Sequence, residues 1–376
     1  MNGQNRGEPD NPRAGDFKRM DPNANPKVIL VVDDNISNLK YINAQLSDSY
    51  KLALAKSGEQ GLRMASARPP DLVLLDIDMP GMDGFETLER MKNDPLLAKL
   101  PVIFLSANNN PETEVKALQV GAMDFIPKPF QKSILTHRID LHLNFAKYQS
   151  SLENTVRELE DSIITSFSEL IEARDENTGG HVKRTAAYVD LLGNKLIERG
   201  LFAPELNHAE LDLMVRAAPL HDIGKIGISD LILMKKGKLT ENEYEVVKRH
   251  TVIGAEVLRN IYRKTPTQVY LKYAILIAEG HHERFDGTGY PNRKKGAEIE
   301  LCNRIMSVAN VYDSLVTDRV YRPALGYAEA AGIIIESAGK EFDPEIVEVF
   351  KDMHGEFSVI AENDKQKTAA QAAQPG

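Results

Sequence analysis

Residues 71–84 read DLVLLDIDMPGMDG, an apolar run that ends in acids and then in a turn rich in Pro and Gly. A run of the same kind, KVILVVDDN, occupies 27–35, a third, PVIFLSA, lies at 101–107, and GAMDFIPKPF at 121–130 is a fourth. Leu39, Ile42 and Leu46 recur at helical spacing between the first two runs, as do Gly61, Leu62 and Ala65. Continuous β-branched runs alternating with amphipathic helices predict a doubly wound α/β unit over 27–130, its parallel sheet covered on both faces. Functional groups in such sheets gather at the carboxyl ends of the strands, where Asp33, Asp34, Asp76, Ser106 and Lys128 all fall. Clustered carboxylates repel one another unless a hard cation sits among them, and oxygen ligands beside a phosphate suit Mg2+. A lysine there neutralises one phosphoryl oxygen and a serine hydroxyl donates to another. Solvated loop acids are the plain alternative, which five complementary positions at strand ends disfavour.

Past this unit the apolar positions run Leu141, Phe145, Tyr148, Leu152, Val156, Leu159, Ile163, Phe167, Leu170, with no Pro or Gly among them. An eleven-residue period over three turns keeps a stripe nearly straight along one long helix. The segment 131–175 is therefore expected to be a helical linker. Its narrow seam with charged flanks favours a parallel homodimer over packing within one chain.

From 176 to 360 the patterns are helical, as at Val182–Ile197, Glu210–Pro219, Glu241–Ile261 and Arg304–Leu315. Six of the nine histidines lie between 181 and 282. A lone histidine is usually a satisfied core residue, and His208 is given that reading. The others come with acids or in adjacent pairs, HD at 221–222 and HHE at 281–283. Imidazoles with a bridging carboxylate match transition-metal sites such as iron or manganese. Two such ions suit phosphate-ester hydrolysis, because they activate water and neutralise phosphoryl oxygens. Lys225 follows His221 closely enough to stabilise developing charge. The segment DGTGYP (286–291) permits tight turns beside a ligand.

The chain has 376 residues, 42% of them hydrophobic, enough for two or three domains at roughly 150 residues each. Its 46 basic and 55 acidic residues leave a net charge of −9. That balance disfavours a nonspecific nucleic-acid binder but leaves room for a local basic pocket. Cys302 is the only cysteine, so an internal disulfide is excluded, a reducing compartment fits, and an inert core role is expected. No apolar run approaches the ~18 residues of a spanning helix. The polar N-terminus, with Pro9, Pro12, Pro22 and Pro26, lacks a secretory apolar region. A soluble, cytoplasmic protein with no membrane partner is expected, with 1–26 a disordered leader and 361–376 a disordered tail.

The residues DD, D-x-D-M-P-x-M-D-G, a strand ending in Ser-Ala, and P-K-P-F make 27–130 resemble the response-regulator receiver family. That resemblance implies Asp76 as phosphoacceptor and Asp33, Asp34 and Asp76 around Mg2+. It also implies Ser106 and Phe125 as switch residues, Lys128 as the phosphate-contacting lysine, and a histidine kinase as partner. HDIGK (221–225) and HHERFDGTGYP (281–291) make about 175–355 resemble the HD-GYP family of metal phosphohydrolases. This second resemblance implies an all-α domain that hydrolyses cyclic di-GMP to pGpG, GMP or both, with GGDEF-domain proteins as further partners. His181, His221, Asp222, His250, His281 and His282 match its metal-ligand positions, with Asp222 bridging two iron or manganese ions. Asp222 and Lys225 are the catalytic candidates. Tyr290 would shape the pocket, and Arg319 and Arg322 would contact substrate phosphates.

Two departures from the family pattern stand out. Asn177 replaces the Glu that trimetal members carry four residues before the first histidine, which argues for two metals. Asn310 replaces the first Asp of A-D-V-[FY]-D, leaving an uncharged ligand there; Asp313 is an alternative ligand or a structural residue. The leading expectation is a phosphorylation-controlled cyclic di-GMP phosphodiesterase. Its rivals are a degenerate binder of nucleotide or protein partners and a phosphodiesterase for a related dinucleotide such as cyclic GMP-AMP.

Overall fold

A computed structural model describes residues 26–107, 110–175, 180–318 and 322–372. Residues 1–25 of the expected leader, Asn177 and Arg319 lie outside them. The chain divides into two compact units, one through Asn154 and one from Thr155.

The first unit alternates β1 (Val28–Val32), α1 (Ile36–Leu46), β2 (Lys51–Ala55), α2 (Gly58–Ala67), β3 (Leu72–Asp76), α3 (Gly84–Asn93), β4 (Val102–Ser106), α4 (Pro111–Gln119) and β5 (Asp124–Pro127). The five strands are parallel, in the order β2-β1-β3-β4-β5. Every residue of β3 and β4 is buried, as their unbroken apolar runs require. One face of the sheet packs on Leu39, Ile42, Leu46, Leu135 and Ile139, the other on Ala65, Leu88, Met91 and Ala117. The strand β2 was not expected from sequence. Its residues KLALA carry no β-branched side chain, and it lies at the sheet edge, exposed at Lys51. Asp83 of the MPGMDG turn caps α3, its carboxylate accepting from Glu86 N at 2.7 Å.

Helix α5 runs unbroken from Lys132 to Glu172. All nine positions of the apolar stripe are exposed, from 48% at Val156 to 75% at Tyr148.

The second unit is helical: α6 (His181–Glu198), α7 (His208–Ala217), α8 (Asp230–Leu233), α9 (Glu241–Lys248), α10 (His250–Lys264), α11 (Tyr270–Gly280), α12 (Leu301–Val316), α13 (Tyr327–Glu336) and α14 (Pro344–Ala372). Its core joins α6, α7, α11, α12 and α14, with Tyr188 stacked on Phe357 at 4.6 Å and both edge-on to Tyr312. Cys302 belongs to this core, where burial pushes its thiol up to about 12.

Three expectations are corrected here. The helix expected over Glu241–Ile261 is broken between α9 and α10 at Arg249. His208 is not a core residue: it is the exposed first residue of α7, which Asn207 caps. The expected tail from 361 is instead the continuation of α14, with Ala361 buried and Asp364 bound to Arg184. Among the described residues, no helix is long and apolar enough to cross a membrane.

Candidate metal centre

The HDIGK motif leaves α7 through two short 3-10 segments, Ala218–Leu220 and Ile223–Gly227, with His221 and Asp222 between them. Gly224 is needed for this turn to reach α10, because a Cβ there would stand 1.8 Å from the carbonyl oxygen of His250. His281 caps the C-terminus of α11, and the loop after it folds back on itself. A Cβ on Gly289 would meet Arg284 N at 2.3 Å, and Tyr290 N donates to the His282 carbonyl at 3.2 Å. Glu283 is buried and ties this loop, its carboxylate accepting from Asn292 N at 2.6 Å and Lys294 N at 3.1 Å.

Four buried imidazoles are fixed through Nδ1. His221 pairs with the Ala218 carbonyl at 2.9 Å, His250 with that of Val247 at 2.6 Å, and His281 with that of Ile277 at 2.8 Å. His181 pairs with the Asp313 carboxylate at 2.7 Å. A carbonyl acceptor holds the proton on Nδ1, so Nε2 carries the lone pair. These Nε2 atoms converge: His181 and His221 stand 3.3 Å apart, His250 and His281 3.5 Å apart. Asp222 lies between the pairs. Its Oδ2 is 3.3 Å from His221 Nε2 and 2.8 Å from Lys225 Nζ, and its Oδ1 is 3.3 Å from His250 Nε2 and 3.6 Å from His281 Nε2.

Facing acceptors at such distances repel unless a cation sits among them, and Asp222 Oδ1 is buried with no hydrogen-bond partner among the described residues. The donor set of imidazole nitrogens and carboxylate oxygens suits a divalent transition metal. Two overlapping groups offer ligand atoms within 4.8 Å of one another: Asp222, His250, His281 and His282, and Glu172, His181, His221 and Asp222. Burial alone would raise the Asp222 carboxyl, but Lys225 and His221 hold it well below the ordinary carboxylate range. Burial pushes His281 down to about 4, and burial with the neighbouring His281 also lowers His282, so both rings are neutral and able to ligate at pH 7.

Sequence reading does not single out Glu172, and it leaves Asp313 open between an alternative ligand and a structural residue. Glu172, the last residue of α5, is 4% exposed, and burial raises its carboxyl. No spacing rule links it to His181, nine positions on; only its burial reveals it. Asp313 is 1% exposed and stands behind His181 on the side away from the converging Nε2 atoms. It also takes Arg184 Nε at 2.7 Å and Nη2 at 2.9 Å. Burial opposes its charge, yet His181 and Arg184 bring it down to about 2. It therefore orients His181 and does not join either group of candidate ligand atoms.

These groups open on a cavity of about 670 Å³ whose wall includes Asn310, Tyr290, Lys225, Lys235 and Lys248. Tyr290 stacks on His282 at 4.8 Å, and Lys248 Nζ lies 4.8 Å over the Tyr244 ring. Arg322 is not on this wall; its Nη2 donates to the Ser314 carbonyl.

The first unit gathers its acids as expected from strand ends. Asp33, Asp34 and Asp76 bring carboxylate oxygens within 4.8 Å of one another, and Lys128 Nζ bridges Asp33 at 2.7 Å and Asp76 at 2.9 Å. Asp33, Asp76 and Ser106 are buried, and Phe125 packs in the sheet core. Burial lifts the Asp76 carboxyl to about 6 against the pull of Lys128.

The sheet and its acid cluster define a signal-receiving unit, and the helical cage defines a metal-dependent hydrolase of the HD type. The response regulator receiver domain model matches 29–140 and the HD domain model matches 165–346. The chain is 35% identical to a probable cyclic di-GMP phosphodiesterase of Vibrio cholerae, over 91% of this chain and 81% of that one. It is 34% identical to the cyclic di-GMP phosphodiesterase response regulator RpfG of Xanthomonas campestris, over 85% and 86% of the two chains. A 3'3'-cGAMP-specific phosphodiesterase 2 of Vibrio cholerae is 34% identical over 65% of this chain and 44% of its own. The chain belongs to the response regulators that join a receiver domain to an HD-GYP domain.

Proposed function

We propose that this chain is a phosphorylation-regulated phosphodiesterase that hydrolyses cyclic di-GMP to pGpG, GMP or both, at a binuclear iron or manganese site. The carrying observation is Asp222, whose two oxygens face two separate sets of imidazole Nε2 atoms on the floor of the cavity. His181 and His221 would hold one ion, His250, His281 and His282 the other, and Asp222 both. Bound divalent ions would lower the pKa of water and neutralise phosphoryl oxygens. The chain's own groups do the rest. Lys225, beside Asp222, offers positive charge at the reacting phosphate, while Lys235 and Lys248 make the wall attractive to the second phosphate. The exposed Tyr244 ring suits stacking by a base, while Tyr290, stacked on His282, shapes the wall. Hydrolysis joins a water oxygen to phosphorus and breaks one P–O ester bond, the departing ribose oxygen taking a proton.

In the receiver, Asp76 would accept the phosphoryl group from a histidine kinase, with Mg2+ among Asp33, Asp34 and Asp76 and Lys128 against the phosphoryl oxygens. Ser106 and Phe125 would take up the two switch states. A ligand state alters a distant output only through contacts that differ between states. The exposed stripe of α5 offers such contacts to a second copy of the chain.

The test is turnover of cyclic di-GMP by full-length protein of measured metal content, with and without a phosphoryl mimic at Asp76. Linear product from protein carrying two ions is expected. Two bound ions without turnover would establish the degenerate binder, which the uncharged Asn310 on the cavity wall favours. Cyclic GMP-AMP belongs in the same assay, since one relative is named for that substrate.

A further inference from the structure

We propose that Glu172 is itself a metal ligand, so that the ion at His181 and His221 clamps the end of the helix that leaves the receiver. This rests on the metal-centre reading, and not on any substrate.

Glu172 Oε1 is buried, has no hydrogen-bond partner among the described residues, and lies 3.4 Å from His181 Nε2. The same Nε2 faces His221 Nε2 at 3.3 Å, so a carboxylate oxygen and two ring nitrogens converge on one point. The hydrogen-bonding needs of His181 are met from behind by Asp313. A carboxylate taken out of water without partners is costly, and a divalent ion at the point of convergence removes that cost. With Asp222, the group supplies two carboxylates and two imidazoles, a complete set for one transition-metal ion.

The carboxylate's backbone is the last turn of α5, and the residues that follow grip the same site. Arg174, in the 3-10 turn Ala173–Asp175, donates to Asp230 at 2.6 Å and to the carbonyls of Ile228 and Ile226 at 3.2 and 3.4 Å. Those carbonyls belong to the segment that carries Lys225. The end of α5 is thus fastened to the HDIGK loop by Arg174 and, with metal bound, to the ligand cage by Glu172. Metal occupancy and the position of this helix end become linked quantities, each strengthening the other.

Full-length wild type and Glu172→Gln are titrated with Mn2+, with stoichiometry by elemental analysis, thermal unfolding with and without Mn2+, and hydrogen exchange over 160–175. Gln keeps the size of the side chain but removes its charge. We expect one of two Mn2+ ions to bind roughly tenfold more weakly or worse, the other to be retained, and the Mn2+-induced protection of 160–175 to vanish. In metal-free protein the substitution should not lower Tm, because it removes an unpaired buried charge; in Mn2+-loaded protein it should. Unchanged Mn2+ affinity, or equal losses of Tm with and without metal, would show a structural glutamate and overturn the proposal. Wild type that binds Mn2+ but cleaves no cyclic dinucleotide would refute the proposed function and leave this assignment standing. Wild type that binds no Mn2+ would refute both.

Discussion

Replacing Asp313 by Ala should damage the second unit even though Asp313 stands outside both groups of candidate ligand atoms. Its carboxylate takes His181 Nδ1 at 2.7 Å and Arg184 at 2.7 and 2.9 Å, all buried. Removing one partner of a buried ion pair costs about 3–5 kcal/mol, because the surviving charge is left unpaired. Arg184 keeps Asp364 at 2.5 Å, which places the loss near the lower end, about 3 kcal/mol. For a domain of this size, each kcal/mol shifts Tm by about 2–4 °C, so a fall of about 6–12 °C is expected. Freed from Asp313, the His181 ring can also rotate or change tautomer, which should weaken one metal ion by about 10–100-fold. Calorimetry of the metal-free variant reads the first effect, and metal titration reads the second. Asp313→Asn, which keeps an acceptor oxygen but loses the charge, should recover part of the metal affinity and less of the stability. A metal-free Tm within about 1 °C of wild type, with metal affinity unchanged, would refute the argument that Asp313 both neutralises Arg184 and aligns His181.

Asp222→Ala should empty both ion sites more thoroughly than any single histidine change, since its oxygens face both groups; elemental analysis that finds two ions retained would reject the bridging role. Asn310→Asp should raise metal occupancy and turnover when metal is scarce, because it adds a charged oxygen to the cavity wall beside the cage; occupancy and rate that stay level would remove Asn310 from the site. In the receiver, burial raises Asp76 to about 6 from 3.8, so the folded state binds that proton more tightly than the unfolded chain. Its stabilising contribution is complete below pH 3.8 and disappears as pH rises through about 6. Without Mg2+, Asp76→Asn should therefore stabilise the first unit at pH 7.5 by up to about 3 kcal/mol, and do little at pH 4, as followed by urea unfolding. A larger gain at pH 4 than at pH 7.5 would reverse that sign.

The parts of this protein that were legible in its sequence are those set by local pattern. Strands β1, β3, β4 and β5 announce themselves as apolar runs, and the acids and lysine at their ends could be placed from topology alone. Strand β2 is a half-exposed edge of Leu and Ala, whose pattern carries no strand preference of its own. The break at Arg249 involves neither Gly nor Pro; it lies where Gly224, a distant residue, lets the HDIGK turn press against His250. The end of α14 reads as polar and unstructured, yet its Ala, Lys and Gln residues are good helix formers, and Ala361 is held by the core. The histidines and Asp222 stand out in the sequence because adjacent metal-binding side chains are uncommon without a ligand. Glu172 is not singled out there and Asp313 stays between two readings, because a carboxylate's role follows from what surrounds it in three dimensions. One faces three acceptors, and the other has an arginine at its back.

The bond between Asp364 and Arg184 bears on where the second unit can be cut. A fragment ending at Ile346 would retain every histidine of the cage. It would discard Phe350, Met353, Phe357 and Ala361, all buried against the helices that carry those histidines, and would take the Asp364 carboxylate away from Arg184. Such a fragment should be recovered, if at all, as aggregated protein with a loosened grip on His181. The shortest piece that keeps the cage in working order reaches at least to Asp364, near the end of α14 and well beyond the final residue that contributes to the chemistry.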